Sequence, residues 1–308
     1  MGTFAKITCI GKNKESCSVA IDKAFEEIGR VENLLSKFKE SSEISILNNS
    51  GTEPVKIGAE TLQILKKAKQ FYEASGGAFD ISVSPLLKLW CFYDKNKTIA
   101  ELYDRDIKEK LNLIGLEKII IDDNKHTASF KFPGMALDLG GIAKGYAVDK
   151  ARDVMLNLGV KNALISIGGE IFCIGKGIGK NSWNIGIRHP LEHDKIIATV
   201  NLKNKAVSTS GAYENFIEIK GKRFGHIINP RTGYPVENNL VSVTIIADDC
   251  TTADALATAV FVLGKEKGLV LIKEYKVEAV LISKDKDGLL NIAVTKNLRK
   301  NLKEYNSR

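Results

Sequence analysis

The segment LDLGGIAKGYAVD, residues 137–149, is the part of the sequence from which the fold is best inferred. It ends a short apolar run, contains two successive glycines and continues with apolar residues at helical spacing. This pattern predicts a strand, a tight turn at Gly140 and Gly141, and a helix with Lys144 in its first turn. Glycine lets backbone N–H groups approach a ligand, and a helix N-terminus favours an anion. The segment is therefore a candidate phosphate site, and a purely structural joint with an exposed lysine fits it equally well.

The predicted elements differ on the two sides of this segment. Upstream, apolar spacing predicts a long helix capped by Ser16 and a second helix over 60–75, with residues 44–48 leading into a loop. Downstream, short apolar runs predict mainly strands, followed by an apolar helix over 251–263 that ends at Gly264. Helices combined with a long antiparallel-type run are typical of the α+β class. We therefore expect mixed, largely antiparallel sheets with packed helices.

Composition indicates a globular protein. Of the 308 residues, 44% are hydrophobic and 27% are charged, which excludes a disordered chain. We expect a single domain over residues 1–308, with an alternative division into two lobes, 1–117 and 118–308, that hold the site between them. The net charge is +8, but the lysines are scattered and no aromatic residues interleave with them. A nucleic-acid partner is therefore not expected.

The sequence carries few signals of redox state or location. The five cysteines are odd in number and form no CxxC pair, so neither a zinc site nor a disulfide framework is predicted. No apolar run reaches the roughly 18 residues of a membrane span, and no transmembrane segment is expected. The chain opens with a predicted strand and not with a leader. If Met1 is the true start we expect a cytoplasmic protein, and a leader upstream of Met1 is the alternative.

An acid and an alcohol share one face of the apolar helix. Asp254 and Thr258 are four residues apart, so their oxygens lie on the same side. A carboxylate on an otherwise apolar helix needs a partner, and a hard cation, Mg²⁺ in particular, would supply one. The alternative is structural: Asp254 interacts with the helix dipole and Thr258 bonds back to the backbone.

Three other positions carry groups suited to catalysis or to phosphate binding. His226 precedes a turn rich in glycine and proline, where an imidazole can act as a general base near neutral pH; a structural histidine is the alternative. Asp138 ends the predicted strand beside the glycines, where carboxylates often meet a ligand or metal. Residues 208–211 offer hydroxyls in what we predict to be a polar turn. The P-loop, HExxH, GxSxG and kinase signatures are absent from the sequence.

Taken together, eight segments resemble the ApbE family of FAD:protein FMN transferases, or flavin transferases. They occur in family order over nearly the whole chain. The segments are MGT at 1–3, SEIS at 42–45 with LN at 47–48, GAFD at 77–80 with PL at 85–86 and Trp90, DLGGIAKG at 138–145, IGGE at 167–170, STSG at 208–211 with YE at 213–214, HIINPRTG at 226–233 with Pro235, and ADALATA at 253–259. One position departs from the pattern: Cys91 stands where members commonly have glycine.

The resemblance implies an enzyme that transfers a phosphorus-containing group. Members bind FAD and Mg²⁺, cleave the pyrophosphate, attach FMN by a phosphoester to a Thr or Ser of a target protein, and release AMP. The implied partners are FAD and a protein acceptor, in family context a subunit of a membrane redox complex. The implied location is the periplasm or the outer face of the cytoplasmic membrane. Two alternatives would use the same site: a Mg²⁺-dependent FAD pyrophosphatase and a non-catalytic flavin-binding protein.

The resemblance also implies roles for individual residues. The Gly141 carbonyl, Asp254 and Thr258 would bind Mg²⁺, and Asp254 would thereby act in catalysis. Lys144 would contact the phosphates of FAD, and His226 would be the base for the acceptor hydroxyl. The residues implied to contact FAD are Met1, Phe38, Phe79, Asp80, Ile81, Asp138, Lys144 and Ile228.

Overall fold

The computed structural model of the protein describes residues 3–93, 103–192, 194–211, 215–219 and 221–305. The helices in these ranges are α1 (Lys14–Leu35), α2 (Glu43–Asn49), α3 (Ala59–Ala74), α4 (Ser84–Leu89), α5 (Asp104–Leu111), α6 (Ala143–Asn157) and α7 (Cys250–Glu274). The strands are β1 (Ala5–Cys9), β2 (Val55–Lys56), β3 (Ile119–Asp122), β4 (Thr127–Phe130), β5 (Ala163–Ile167), β6 (Glu170–Ile174), β7 (Trp183–Arg188), β8 (Ile196–Leu202), β9 (Lys205–Gly211), β10 (Phe216–Ile219), β11 (Lys222–Gly225), β12 (Leu240–Ala247), β13 (Glu278–Lys284), β14 (Leu290–Val294) and β15 (Leu302–Glu304).

A seven-stranded sheet in the order β1-β5-β6-β9-β12-β13-β14 forms the centre of the fold. Helices α6 and α7 pack on one face of it, and α1 packs on α6. The sheet β15-β8-β7 shares a second hydrophobic cluster with the main sheet, in which Ile185 and Val200 lie with Val207 and Ile246. Every strand pair among the described residues is antiparallel. The predicted α+β class is therefore confirmed, while the division into lobes stays a prediction.

The 137–149 segment contains the predicted turn and helix, but its strand is wrong. Helix α6 begins at Ala143, directly after the glycines. Residues 135–139 join no sheet. Instead, the side-chain amide of Asn48 accepts from Leu137 N at 2.7 Å and donates to Leu137 O at 3.0 Å. The amide thus satisfies the backbone groups that a neighbouring strand would otherwise satisfy.

Three other predictions about local structure are also wrong. Asn13, and not Ser16, caps α1, because its side chain accepts from Glu15 N at 2.8 Å. Residues 44–48 lie within α2, whose first turn is capped by Ser42. Residues 208–211 belong to strand β9 and not to a turn. Of these sequences, STSG at 208–211 is polar enough to suggest a turn, and pairing with β12 makes it a strand instead.

Helix α7 is longer than predicted and kinks at Gly264, where φ is +76°. The prediction correctly located a break at this glycine, but helical structure resumes after it and continues to Glu274. A left-handed residue is tolerated here because glycine has no Cβ to clash with the backbone. None of the helices in the described ranges has the length and apolar character that crossing a membrane requires.

Helices α6 and α7 cap each other. Asp149 of α6 accepts from Cys250 N and Thr251 N of α7, both at 2.8 Å. In return, Asp254 of α7 accepts from Gly145 N, in the first turn of α6, at 3.0 Å. A Cβ on Gly145 would lie 2.3 Å from the Cys250 carbonyl oxygen, so only glycine permits this approach. The glycine after Lys144 thus brings the two helix ends together.

Candidate active site

A cleft of about 1170 Å³ lies where the glycine turn, α7, β9 and the β5–β6 hairpin meet the segments around residues 79–81 and 226–228. All the predicted site residues that the structure describes line it. They are Phe38, Phe79, Asp80, Ile81, Asp138, Gly141, Lys144, His226, Ile228, Asp254 and Thr258. Met1 lies outside the described residues. The structure thus brings the predicted residues to one place, and their chemical roles stay predictions.

Oxygen atoms from separate elements meet at the glycine turn. A Cβ added to Gly141 would lie 3.2 Å from Thr258 Oγ1 and 3.3 Å from the Phe79 ring, so the turn passes directly over α7. The Ser210 hydroxyl of β9 lies 3.4 Å from Thr258 Oγ1. Any side chain on Gly141 would crowd this point, which explains a glycine there.

Lys144 contacts two buried carboxylates. Its Nζ donates to the Gly140 carbonyl and lies 3.3 Å from Glu170 Oε1 and 3.7 Å from Asp254 Oδ1. Asp254 is 2% exposed and Glu170 is 3% exposed. Burial raises the pKa of each acid, and the Lys144 charge offsets only part of that rise. The two acids share one lysine among the described residues, so a proton or a further cation must balance the second negative charge.

Glu170 is a site residue to which the sequence analysis assigned no role. It follows the β5–β6 turn, where Gly168 and Gly169 have φ of +60° and +105°. Its Oε2 is buried and has no hydrogen-bond partner among the described residues. A carboxylate that opens an otherwise apolar strand, EIFCI, is the signal that could have identified it. A buried acceptor without a partner is costly and indicates a group that binds later.

The oxygen donors fit a hard divalent cation. Among the described residues, no three or more His, Cys, Asp or Glu side chains are grouped as a metal site. Mg²⁺ is commonly bound through only one or two carboxylates, with substrate phosphates and water completing the shell. The Asp254 carboxylate, the Thr258 hydroxyl and a glycine carbonyl match that type of site. The second acid beside Lys144, whose proton a metal ion could replace, supports the same interpretation.

Asp138 belongs to a second wall of the same cleft and has a complete set of partners. Lys37 Nζ contacts Asp138 Oδ2 at 2.8 Å, Tyr93 Oη donates to the same oxygen at 2.6 Å, and Gly140 N donates to Oδ1 at 2.8 Å. Burial raises the pKa of Asp138, but these partners outweigh it and hold the pKa below its usual range. Burial also lowers the pKa of Lys37, which the Asp138 charge partly offsets. At 2.8 Å the contact is a charge-assisted hydrogen bond, and we take both groups as ionised.

Aromatic rings close this wall. Lys37 Nζ lies 3.0 Å from the Tyr93 ring centroid, and the Phe38 ring meets Tyr93 edge-on at 5.9 Å between centroids. Phe38 is 70% exposed, although it lines the cleft. An exposed aromatic ring beside a charged, oriented carboxylate can stack on a planar ligand. The sequence analysis assigned no role to Lys37 or Tyr93.

The Asp80 carboxylate is held by hydrogen bonds from the nearby residue Ser82. Its Oδ1 accepts from Ser82 N at 2.7 Å and from Ser82 Oγ at 2.6 Å, which caps a short 3₁₀ turn at 81–83. Burial raises the pKa of Asp80 to about 7, against the opposing effect of the Ser82 bonds. Asp80 is thus partly protonated at neutral pH, unlike Asp138.

His226 presents a neutral imidazole to the cleft. Its Nδ1 lies 3.1 Å from the Asn215 carbonyl oxygen. Burial lowers the His226 pKa, and the nearby Lys144 charge lowers it further. If Nδ1 carries the proton and donates to Asn215, Nε2 is the basic nitrogen. This tautomer suits a group that accepts a proton from a substrate.

A rigid turn holds the segment after His226. The indole of Trp90 donates to the Gly233 carbonyl at 2.8 Å. Gly233 has φ of +77°, and a Cβ there would lie 2.5 Å from Ile107.

Cys91 has φ of +54°, a left-handed conformation that glycine adopts more readily. This conformation would favour the glycine that the resemblance implies at this position.

Comparison with known proteins gives consistent matches over most of the chain. The model of the ApbE family matches residues 1–281. A FAD:protein FMN transferase of Treponema pallidum is 35% identical over 305 residues, covering 93% of this chain and 83% of that protein. One from Klebsiella pneumoniae is 33% identical over 272 residues, covering 87% and 84%. Among solved structures, the ApbE protein of Thermotoga maritima matches with a TM-score of 0.88 at 32% identity, covering 97% of this chain and 96% of that one. The flavin transferase ApbE of Vibrio cholerae matches with a TM-score of 0.85 at 30% identity, covering 98% and 96%.

Proposed function

The chain belongs to the ApbE family, and from this premise we propose that it is a FAD:protein FMN transferase that uses Mg²⁺ and a Thr or Ser of a target protein. The observation that carries the proposal is the meeting of Asp254, Thr258, Gly141, Lys144 and His226 in one cleft. Relatives named FAD:protein FMN transferase support flavin transfer. The metal and the acceptor hydroxyl are supported by the chemistry of the site.

Asp254, Thr258 and the Gly141 carbonyl would hold Mg²⁺. When bound, the ion neutralises charge on the diphosphate of FAD and so favours its cleavage. Asp254 has one oxygen committed to Gly145 N, which leaves Oδ1 facing the cleft. Lys144 supplies a second positive charge from the first turn of α6. Electrostatic contacts of this kind are worth about 3–4 kcal/mol of barrier lowering each.

His226 acts on the acceptor. Its basic nitrogen takes the proton of the Thr or Ser hydroxyl as the oxygen attacks the phosphorus of the FMN half. The new O–P bond forms while the bond from that phosphorus to the bridging oxygen breaks, and AMP leaves with the bridging oxygen. A lowered pKa keeps His226 unprotonated and available for this step at neutral pH.

The wall that contains Asp138 and Phe38 orients FAD. Asp138 is held ionised by Lys37 and Tyr93, so it accepts hydrogen bonds from the ligand without reorganising. Phe38, Phe79 and Ile228 offer apolar surface for a planar ring. The identity of the acceptor, its membrane context and the location of the enzyme stay predictions from the resemblance.

The test is a transfer assay on the full chain. With FAD, Mg²⁺ and a Thr-bearing acceptor, we expect covalent flavin fluorescence on the acceptor band in a denaturing gel and one AMP per flavin transferred. The same acceptor with Val in place of the Thr is the control. AMP and free FMN without any acceptor would instead indicate a pyrophosphatase, and tight binding of intact FAD would indicate a carrier.

A further inference from the structure

The Lys144 ammonium lies beside the carboxylate oxygen that the proposed function assigns to a metal ion. It contacts the Gly140 carbonyl and lies 3.7 Å from the Asp254 oxygen that faces the cleft. That oxygen is the one left over after Asp254 accepts from Gly145 N. A divalent cation on the same oxygen would stand within a few ångströms of the ammonium, and two cations that close repel each other strongly.

Glu170 provides a second place for the ammonium. Its Oε1 is already 3.3 Å from Lys144 Nζ, and its Oε2 has no hydrogen-bond partner among the described residues. The carboxylate is fixed by the start of β6, whose backbone pairs with Ile167 of β5. Rotation of the flexible lysine side chain would exchange Asp254 for the second Glu170 oxygen.

We propose that Lys144 is the resident counter-ion of Asp254 in the metal-free protein, and that Glu170 is a positioning residue that retains the ammonium in the cleft when a divalent cation replaces it at Asp254. The inference rests on the metal site of the proposed function. It adds a competition between lysine and metal, and it explains why one lysine is shared by two buried acids. Glu170 acts through Lys144 and does not touch the reacting atoms.

Titration of the full-length protein with Mg²⁺ alone, by calorimetry at low ionic strength and without FAD, tests the competition. Lys144→Met removes the competing charge, and we expect it to bind Mg²⁺ about tenfold more tightly than the wild type. Among the described residues, Glu170→Gln leaves Asp254 as the one carboxylate in contact with the ammonium, and we expect about tenfold weaker binding. Unchanged or weaker binding by Lys144→Met would overturn the proposal.

The double variant separates positioning from a direct effect of the Glu170 charge. If Glu170 acts through the lysine, Glu170→Gln costs less Mg²⁺ affinity in the Lys144→Met background than alone. An equal cost in both backgrounds would place Glu170 on the metal itself and overturn the positioning role. Glu170→Asp restores part of the affinity if a carboxylate near the ammonium suffices, and thermal unfolding of each variant confirms folding.

The Asp254→Asn variant distinguishes failure of this inference from failure of the proposed function on which it rests. If Asp254→Asn loses Mg²⁺ binding while Lys144→Met leaves it unchanged, the metal assignment stands and the competition is refuted. If the wild type binds no Mg²⁺, both the metal assignment and the inference fail. If Asp254→Asn binds as the wild type does, the metal lies elsewhere and both fail as well.

Discussion

The two acidic walls of the cleft differ in how completely their charges are matched. Asp138 has its own lysine, a tyrosine hydroxyl and a backbone N–H. Asp254 and Glu170 share a single lysine, and one Glu170 oxygen has no hydrogen-bond partner among the described residues. The first wall is complete before a ligand arrives, whereas on the second a cation can replace a proton on the acid pair. The Asp138 wall is thus ready to orient a ligand, and the Asp254–Glu170 wall is ready to bind a cation.

The largest expected effect is a loss of flavin transfer on mutation of the wall formed by Asp254 and Glu170. Asp254→Asn keeps the shape and one oxygen but removes the charge, so we expect Mg²⁺-dependent transfer to fall roughly 100- to 1000-fold, about 2.7–4 kcal/mol. The turnover number at saturating FAD measures it. Asp153→Asn, which changes a half-exposed acid on α6, is the matched control and should transfer at the wild-type rate. Near-normal turnover in Asp254→Asn would remove the contrast between the walls.

Mutation of the wall formed by Asp138 and Lys37 should lower the stability of the fold. Lys37→Met leaves the buried Asp138 carboxylate without its cation, and we expect a loss of about 3 kcal/mol in the free energy of unfolding. Urea unfolding at pH 7 measures this. Lys66→Met, which removes an exposed ion pair with Asp123, should cost less than about 0.5 kcal/mol. Adding Asp138→Asn to Lys37→Met should recover part of the loss; no recovery would show that packing, and not charge, is lost.

Asp80 offers a third acid for the comparison: it is buried, and no ion pair to it is found among the described residues. Its pKa of about 7 exceeds that of the unfolded chain, so the folded state retains a proton that the unfolded state has lost between about pH 4 and pH 7. Stability from this group therefore falls as pH rises through that window. Relative to the wild type, Asp80→Asn should gain about 2 kcal/mol between pH 4 and pH 8, with allowance for partial hydration in the cleft. Parallel stability curves for both proteins would contradict the raised pKa.

The geometry of the wall formed by Asp254 and Glu170 depends on the close approach of α6 and α7. Gly145→Ala places a Cβ against the Cys250 carbonyl, and we expect a loss of about 2 kcal/mol in stability together with weaker Mg²⁺ binding. Gly29→Ala is the matched control, since no atom lies within 4 Å of the added Cβ in α1. It should be neutral or gain up to about 1 kcal/mol. Equal urea midpoints for the two variants would refute the steric argument.

The smallest effect concerns the turn beside Tyr93. Cys91→Gly relieves a left-handed backbone at φ +54°, and we expect a gain of about 0.5–1 kcal/mol in stability. The measurement is the thermal midpoint under reducing conditions. Cys91→Ala serves as the control, because it removes the thiol and keeps the strain, so it should show no gain.

Sequence patterns predict the parts of this site that are local. The Gly140–Gly141 turn, the start of α6 and the Asp254–Thr258 pair each follow from spacing within a few residues. The resemblance extends this to the remaining predicted residues of the cleft. Local patterns could not reveal that Asn48 replaces a strand partner for Leu137, because the two are 89 residues apart.

The missed site residues share one cause. Lys37 reaches Asp138 across 101 positions of sequence, and Glu170 meets Lys144 only because the β5–β6 hairpin turns back over α6. In the sequence alone, a lysine after a helix and an acid after two glycines are ordinary surface residues. Their importance comes from burial and from the partner that burial imposes, which no short-range periodicity encodes.

The mutual capping of α6 and α7 has a consequence for how the protein opens. The amide protons of Gly145, Cys250 and Thr251 are each held by a carboxylate of the opposite helix. Neither helix end can fray without uncovering the other, so these three amides should exchange with solvent deuterium at a common, slow rate. The first turns of both helices thus form one cooperative unit, although the chain separates them by more than a hundred residues.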